Sequence, residues 1–405
     1  VKLNTTFRYL APSSRYHAGP GSISQIYSEA KRIGATRAFL ISSETLARTT
    51  DLNDKVRAAL GELYVGTWAG AKKESPIPSV MEGVKAVKAA KPDLIVTVGG
   101  GSAVVTGRAI TIIVGEDKTI EEMYTKHAPG RAPDVYRAGK PKIPNIIVNT
   151  TPTTGTDRGG AAIYDSVAPH RKELYDPKTR PLAVIIDPQA LLTAPPSLYR
   201  DTSLTTFSDI IGSGNTGGLQ SPELNPLAYA DERMALELSV ANLPKLVEHP
   251  NDGEARVNLC LAAILCNRAS QSTYNSGGRN RTTGLGYKLR YHYAHIGQGA
   301  AGAVMLATNL RINLDIMTEG MARIADVLRI RLAGMTDREA AQTLIVWVES
   351  FLRSIGAATR LRDLNVPRED LRRLAEEDVR ALYFGEGSGR ITDPDELVKV
   401  LEMAY

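Results

Sequence analysis

Cysteine is almost absent from this 405-residue chain, with only Cys260 and Cys266 present. That count excludes a disulfide framework and a cysteine-built zinc site. Two thiols inside an apolar, helix-like stretch read instead as buried and free in a reducing compartment. Histidine is also sparse, with six residues, and aromatics make up only 6%, which weakens any case for a base-stacking surface. No stretch approaches the ~20 uninterrupted apolar residues of a membrane span. The opening residues VKLNTT have no apolar core of the signal-peptide kind. Nor is charge of one sign concentrated: 49 Lys and Arg against 44 Asp and Glu leave +5, without the basic runs of nucleic-acid tails. The expectation is a cytoplasmic protein that engages small molecules rather than nucleic acid or membrane.

What is present is ordinary globular material, 43% apolar and 23% charged. At ~150 residues per domain the length allows two or three domains. In the first half, short β-branched runs at 38–42, 94–98, 143–149 and 182–186 alternate with helical patterns at 23–33, 78–90 and 103–113. Such alternation implies βαβ units and a largely parallel sheet. Beyond residue 195 helical periodicity takes over, at 227–247, 254–269, 300–316, 321–331, 337–355 and 369–382. Prolines 188, 195 and 196 punctuate the change, so the expected division is an α/β domain over 1–193 and an all-helical domain over 194–405. The most irregular piece, 212–222 (GSGNTGGLQSP), reads as a loop, either a surface insertion or a lid.

Two segments carry chemistry. Gly99, Gly100, Gly101 and Ser102 follow directly on the run LIVTV and precede a helical pattern. Glycines let a backbone approach phosphate closely, and free N–H groups at a helix start favour negative charge. This is not the GxGxxG fingerprint, and a tight turn without a ligand stands as the alternative. The second segment, PTTGTDRGG at 152–160, also follows a strand. Thr153, Thr154 and Thr156 offer hydroxyls to cofactor phosphate or amide groups, and Arg158 can face an anion; a plain polar turn is the other reading.

Taken together, GGGS at 99–102, PTTGT at 152–156, IIDP at 185–188, PPSL at 195–198 and the closing GRITDPDELVKVLEMAY give the chain its likeness to known proteins. It resembles the iron-containing (group III) alcohol dehydrogenases over essentially its whole length. The stretch GGGSAVVTGRAI is closest to the maleylacetate reductase branch; common alcohol dehydrogenases have Asp where this chain has Val105 and Lys where it has Arg108. The resemblance implies the dehydroquinate synthase-like architecture: an α/β nucleotide-binding domain with a parallel sheet, an all-helical C-terminal domain, an active site in the cleft between them, and a homodimer or larger homo-oligomer.

It also implies one Asp and three His as metal ligands. Counted from PPSL, the Asp and the first His fall on Thr205 and Asp209; aligning the family's Pro-His-Gly pattern with IGQG at 296–299 puts the other two on Gln298 and Gly284. Thr, Gly and Gln are poor ligands for a d-block dication, so the family's metal site is expected to be missing. Lys288 stands where the family carries another active-site His, with Tyr287, Arg290, Tyr291, His292 and His295 around it. A desolvated Lys, Tyr or His can protonate a developing alkoxide, and Arg279 and Arg281 can receive an anionic substrate. His292 and His295 with Asp209 are a second possibility, as a relocated metal site. Ser43, at the end of the second strand where NAD-preferring relatives carry Asp, leaves room for a 2′-phosphate and favours NADP over NAD; Glu44 argues the other way.

The expectation is therefore a metal-independent NAD(P)H-dependent reductase or dehydrogenase acting on a small, anionic carbonyl, alkene or imine. Lys288, His292 or Tyr287 would supply the proton and Asp209 would orient the substrate. A lyase or isomerase on the same scaffold, or a non-catalytic nucleotide-binding protein, are the alternatives.

Overall fold

The computed structural model describes residues 6–7, 9–11, 13–127, 133–166, 170–212, 218–221, 224–271, 281, 285–380 and 391–405. Two compact units emerge: an α/β unit over Pro12–His127 and Pro133–Pro195, and a helical unit over Pro196–Tyr405 with the described residues before Pro12.

In the α/β unit the strands are β1 (Arg15–Ala18), β2 (Ala38–Ile41), β3 (Tyr64–Trp68), β4 (Leu94–Gly99), β5 (Asn145–Asn149), β6 (Gly160–Asp165), β7 (His170–Tyr175) and β8 (Ala183–Ile186). Its helices are α1 (Gln25–Arg32), α2 (Glu44–Thr49), α3 (Leu52–Leu60), α4 (Ile77–Ala90), α5 (Gly101–Glu116), α6 (Ile120–Met123) and α7 (Pro188–Leu191). Six strands form one sheet in the order β1-β8-β5-β4-β2-β3, and every pairing in it is parallel. β6 and β7 make a separate antiparallel hairpin.

The four β-branched runs of the sequence became β2, β4, β5 and β8, buried throughout. Both faces of these strands are covered, which is why they are nearly continuous apolar runs rather than alternating ones. Leu40, Val96, Val98 and Val148 pack on one face with Ile26 and Val56. Phe39, Ile41 and Ile95 pack on the other with Val84, Ile110 and Ile113. β1 (RYHA) and β3 (YVGTW) fall outside the sequence expectation. Both are sheet edges, and their strand character comes from pairing with a neighbour rather than from composition.

Helix α5 lies close on β4. A Cβ built at Gly107 would stand 2.5 Å from Thr97 Oγ1, so glycine is required there for the helix to seat. At its far end α5 presents Glu116 to Lys142, whose Nζ also lies 3.0 Å from Asp176 Oδ2, with all three side chains buried. Burial raises the Glu116 carboxyl, but bonds from Lys142, Tyr136 and the Lys140 N–H outweigh it and bring the pKa down to about 2.

The helical unit comprises α8 (Pro196–Gly212), α9 (Pro226–Glu248), α10 (Gly253–Gln271), α11 (Leu285–His292), α12 (Gln298–Ile312), α13 (Leu314–Val327), α14 (Asp337–Ser354), α15 (Leu371–Arg380) and α16 (Pro394–Ala404). The helices expected over 300–316 and 321–331 are α12 and α13, with the break earlier than expected, at Asn313. There the Asn313 carboxamide donates to the Asn309 carbonyl and accepts from the Arg281 N–H at 2.8 Å, so a side chain competes with the backbone ladder. Of the loop expected at 212–222, residues 213–217 and 222–223 lie outside the described residues. Its described part is anchored by Glu232, which accepts from the Leu219 N–H at 2.6 Å, and by Arg323, which donates to the Leu219 carbonyl at 3.0 Å. Cys260 and Cys266 are buried and in no disulfide, and burial lifts the Cys260 thiol to about 12. Among the described residues no helix is long and apolar enough to cross a membrane.

Lys142→Met removes the cation shared by two buried carboxylates and is expected to cost about 3 kcal/mol of stability, read by urea unfolding at neutral pH. In the unmodified protein the folded Glu116 carboxyl titrates below its unfolded value. Its contribution is thus full above about pH 5 and lost as pH falls towards 2. Without Lys142, burial raises the Glu116 carboxyl instead, so the variant's stability deficit should be largest at neutral pH and narrow on acidification.

Candidate functional site

Because the sheet is parallel, the carboxyl ends of β2, β4 and β5 lie along one edge. Gly99 pairs with Asn149, and Ile41 with Thr97. The glycine turn and the threonine loop of the sequence are therefore neighbours. Gly99 adopts φ +151°, and a Cβ there would also meet Ala103 at 2.6 Å. Gly100 is the N-cap of α5; a Cβ on it would lie 2.7 Å from Thr151 Oγ1, and one on Gly101 would lie 2.9 Å from Thr153 Oγ1. The Thr150 N–H donates to the Gly99 carbonyl at 3.1 Å. Glycine at 100 and 101 thus lets the start of α5 press against the loop that follows β5. The N–H groups of the helix's first turn have no partner within α5 itself, which is the makings of an anion cradle.

Ser102 fastens this turn to the segment before α4. Its Oγ accepts from the Glu74 N–H at 3.1 Å, and Ser75 Oγ donates to its carbonyl at 2.9 Å. Glu74 and Ser75 both sit at positive φ, 67° and 52°, a conformation that costs about 1–3 kcal/mol per non-glycine residue. The hydrogen bonds to Ser102 and the ion pair from Arg171 to Glu74 hold them there.

In the threonine loop, Thr153 Oγ1 accepts from the Gly155 N–H at 3.1 Å. Thr156 is wholly buried: its hydroxyl donates to the Thr153 carbonyl at 2.9 Å and accepts from the Asn149 carboxamide at 3.0 Å. Thr156 shapes the loop from within, while Thr154 is half-buried and Arg158 exposed. Beneath the loop lies Arg108, 4% exposed, donating to the carbonyls of Gly155 (2.8 Å), Thr156 (3.0 Å) and Gly160 (2.9 Å). Burial pushes its guanidinium down to about 10, against the opposing pull of buried Asp157.

At the end of β2, Ser43 is the N-cap of α2, accepting from the Leu46 N–H at 3.2 Å. Glu44 next to it pairs with Arg48 at 3.3 Å.

In the helical unit, Thr205 and Asp209 lie one turn apart on α8, Thr205 buried and Asp209 half-buried. Gln298 opens α12, and its Oε1 accepts from Arg290 Nη1 at 2.7 Å. Asp201 caps the same helix, accepting from the Ala300 N–H at 2.8 Å. Lys288 and Tyr287 are placed on α11, their side chains outside the described residues; Arg279 and Gly284 lie wholly outside them. Arg281 is held by Asp315, at 3.1 and 3.0 Å. His292 is bonded to Glu377 and to Arg373 of α15, while His295 meets the Leu364 carbonyl at 2.9 Å. The two histidines are thus drawn to different partners. Among the described residues no three His, Cys, Asp or Glu side chains converge as for a metal ion.

Arg108, Asn149 and Arg290 fall outside the roles expected from sequence. The legible signal for Arg108 is its charge within the otherwise uncharged run GSAVVTGRAITIIVG, since a buried cation needs partners. Asn149 and Arg290 give no such signal, because their partners are set by the fold.

Glycines at one strand end and hydroxyls at the next, on the carboxyl edge of a parallel sheet, are the construction of nucleotide-binding α/β proteins. Comparison with known proteins narrows the class. Residues 12–188 match the family described as iron-containing alcohol dehydrogenase, and residues 218–405 match the C-terminal part of the Fe-containing alcohol dehydrogenase family. The chain belongs to that family of oxidoreductases. It is 26% identical to the NAD-dependent methanol dehydrogenase of Bacillus methanolicus over 89% of this chain and 91% of that one. Its fold superposes on a 1,3-propanediol oxidoreductase with a TM-score of 0.83 at 22% identity, covering 99% and 100% of the two chains. It also superposes on the maleylacetate reductase of Agrobacterium tumefaciens, with a TM-score of 0.75 at 20% identity and 99% of each chain.

Gly100→Ala places a methyl against Thr151 and parts the turn from the loop. The expected result is a fall of about tenfold or more in dinucleotide affinity, read by fluorescence titration, with helix content by circular dichroism unchanged.

Proposed function

We propose that this protein is an NAD(P)H-dependent reductase or dehydrogenase that acts on a small, anionic carbonyl, alkene or imine without a divalent metal. The observation that carries the cofactor reading is the contact of the glycine turn with the threonine loop at adjacent strand ends, beside the start of α5. A nicotinamide dinucleotide bound there supplies hydride transfer. Gly99, Gly100, Gly101 and Ser102 hold its phosphates through the first turn of α5; Thr153 and Thr154 flank them. The neutral Ser43 at the end of β2 accepts a 2′-phosphate more readily than an acidic residue would, so NADP is favoured. That Glu44 is engaged by Arg48 supports the same preference.

The metal-free reading rests on donor chemistry. At the positions that align with the family's ligands stand a threonine hydroxyl, one carboxylate and a carboxamide oxygen. The last accepts from the Arg290 guanidinium, a cation that repels a dication at that spot. Such a set does not fit a d-block metal. Proton delivery then falls to Lys288, one turn before His292 on α11, with Tyr287 beside it and Asp209 orienting the substrate. Arg158 and Arg279 receive the substrate's negative charge; Arg281 contributes less, because Asp315 already neutralises it.

Titration with NADPH and NADH tests the first step: enhanced nicotinamide fluorescence is expected with both, and no binding of either overturns the reading. Turnover should survive dialysis against a chelator, with metal analysis below stoichiometry. Activity lost on chelation and restored by iron or zinc would refute the metal-free proposal. Lys288→Ala should lower kcat about 10²-fold or more with dinucleotide affinity nearly unchanged; an unaltered rate removes Lys288 from proton delivery.

A further inference from the structure

We propose that Arg108 is the positioning residue of the dinucleotide site: it sets the threonine loop at the height of the α5 N-terminus by gripping three of the loop's carbonyls from below. This rests on the cofactor reading above and adds to it a residue that touches no ligand. A buried guanidinium is expensive unless its hydrogen bonds are recovered. Every bond Arg108 makes comes from one segment, since Nη2 reaches Gly155 O and Thr156 O and Nη1 reaches Gly160 O, while Nε stays buried without a partner. These carbonyls lie on both sides of the turn at residues 157–159, so the planar fork brackets it in a way that a single ammonium would not. The same loop supplies the counter-charge: Asp157 is wholly buried and accepts from Tyr16 Oη at 3.2 Å.

Arg108 grows from α5, the helix whose first turn forms the other half of the cradle. Gly100 and Gly101 fix how closely the top of α5 meets Thr151 and Thr153; two turns below, Arg108 fixes the rest of the loop to the same rod. One rigid element therefore carries both halves, and neither can drift from the other without breaking charge-assisted bonds. The grip also has an electrostatic consequence. Carbonyl oxygens turned towards Arg108 are turned away from an anionic cofactor; released, their negative ends are free to face its phosphates.

The test compares the wild type with Arg108→Met, which keeps length but no donors, and Arg108→Lys, which keeps the charge. Dinucleotide Kd, kcat and KM for both substrates, and Tm are measured together. The expected result for Met is a rise of about tenfold or more in dinucleotide Kd and KM, with kcat at saturating cofactor within about threefold. Lys should fall between Met and the wild type. A lowered Tm with dinucleotide Kd within about twofold of wild type in both variants reduces Arg108 to a stability residue and overturns the proposal. Should the variants fail to fold, hydrogen exchange on the unmodified protein decides. Saturation with NADPH should slow the amides of 101–104 and 155–160 together, and slowing confined to 101–104 overturns the coupling. If the wild type binds neither dinucleotide, the cofactor reading itself falls, an outcome distinct from a wild type that binds and variants that match it.

Discussion

The close seating of α5 on β4 is the constraint from which the α/β unit's site follows. At Gly107 the helix backbone comes so near Thr97 that a single methyl would hold it off. Where α5 begins, Gly99 to Gly101 let its start abut the loop after β5. A helix held so tightly has one position along the sheet, and its first-turn N–H groups are aimed before any ligand arrives. For the proposed dinucleotide, preorganisation of this kind means that little binding free energy would be lost to ordering the turn. The same rod carries two of the unit's buried charges, Arg108 in its middle and Glu116 at its end, each bonded by a different loop.

Strain is placed where that rod meets its surroundings. Glu74 and Ser75 take left-handed backbone conformations beside the glycine turn, and Ser102 holds both. The hydroxyl of Ser102 is thus a structural acceptor, with its proton left to donate. In the helical unit the corresponding rigidity comes from caps and buried polar anchors: Asp201 and Gln298 at the start of α12, Glu232 and Arg323 around residues 219–221. The Arg290–Gln298 bond sets a positive charge from α11 against Gln298 of α12, the position where the resemblance expects a metal ligand. The proposed chemistry therefore works through protonation rather than Lewis acidity.

Much of this was legible in the residues. The runs AFLIS, LIVTV and LAVII declared the buried central strands, and GGGS after LIVTV declared the turn. The closing motifs declared the family. The edge strands β1 and β3 were not legible, because four or five residues of mixed polarity become a strand only when a neighbour offers hydrogen bonds. The break at Asn313 was hidden for a similar reason: the periodicity runs through it, and only the Arg281 N–H, distant in sequence, rewards the carboxamide for leaving the helical pattern. Thr156 looked like its neighbours Thr153 and Thr154, and only its bonds to Asn149 and to the Thr153 carbonyl mark it as the residue that shapes the loop from within. His292 and His295 shared a helix face in the pattern, yet Glu377 and Leu364 claim them separately.

The sequence by itself determined the class of fold, the order of its buried central strands, the family, and the scarcity of residues able to hold a transition metal. Each of these is written in local patterns or in residue identity, which survive without coordinates. Only the tertiary structure decided which groups meet. It joined the glycine turn to the threonine loop through the parallel register of β4 and β5, set Arg108 beneath three carbonyls 47 to 52 residues away, and gave Arg290 to Gln298. Pairings of this kind depend on where the backbone goes between the partners, and no spacing rule along the chain encodes that path.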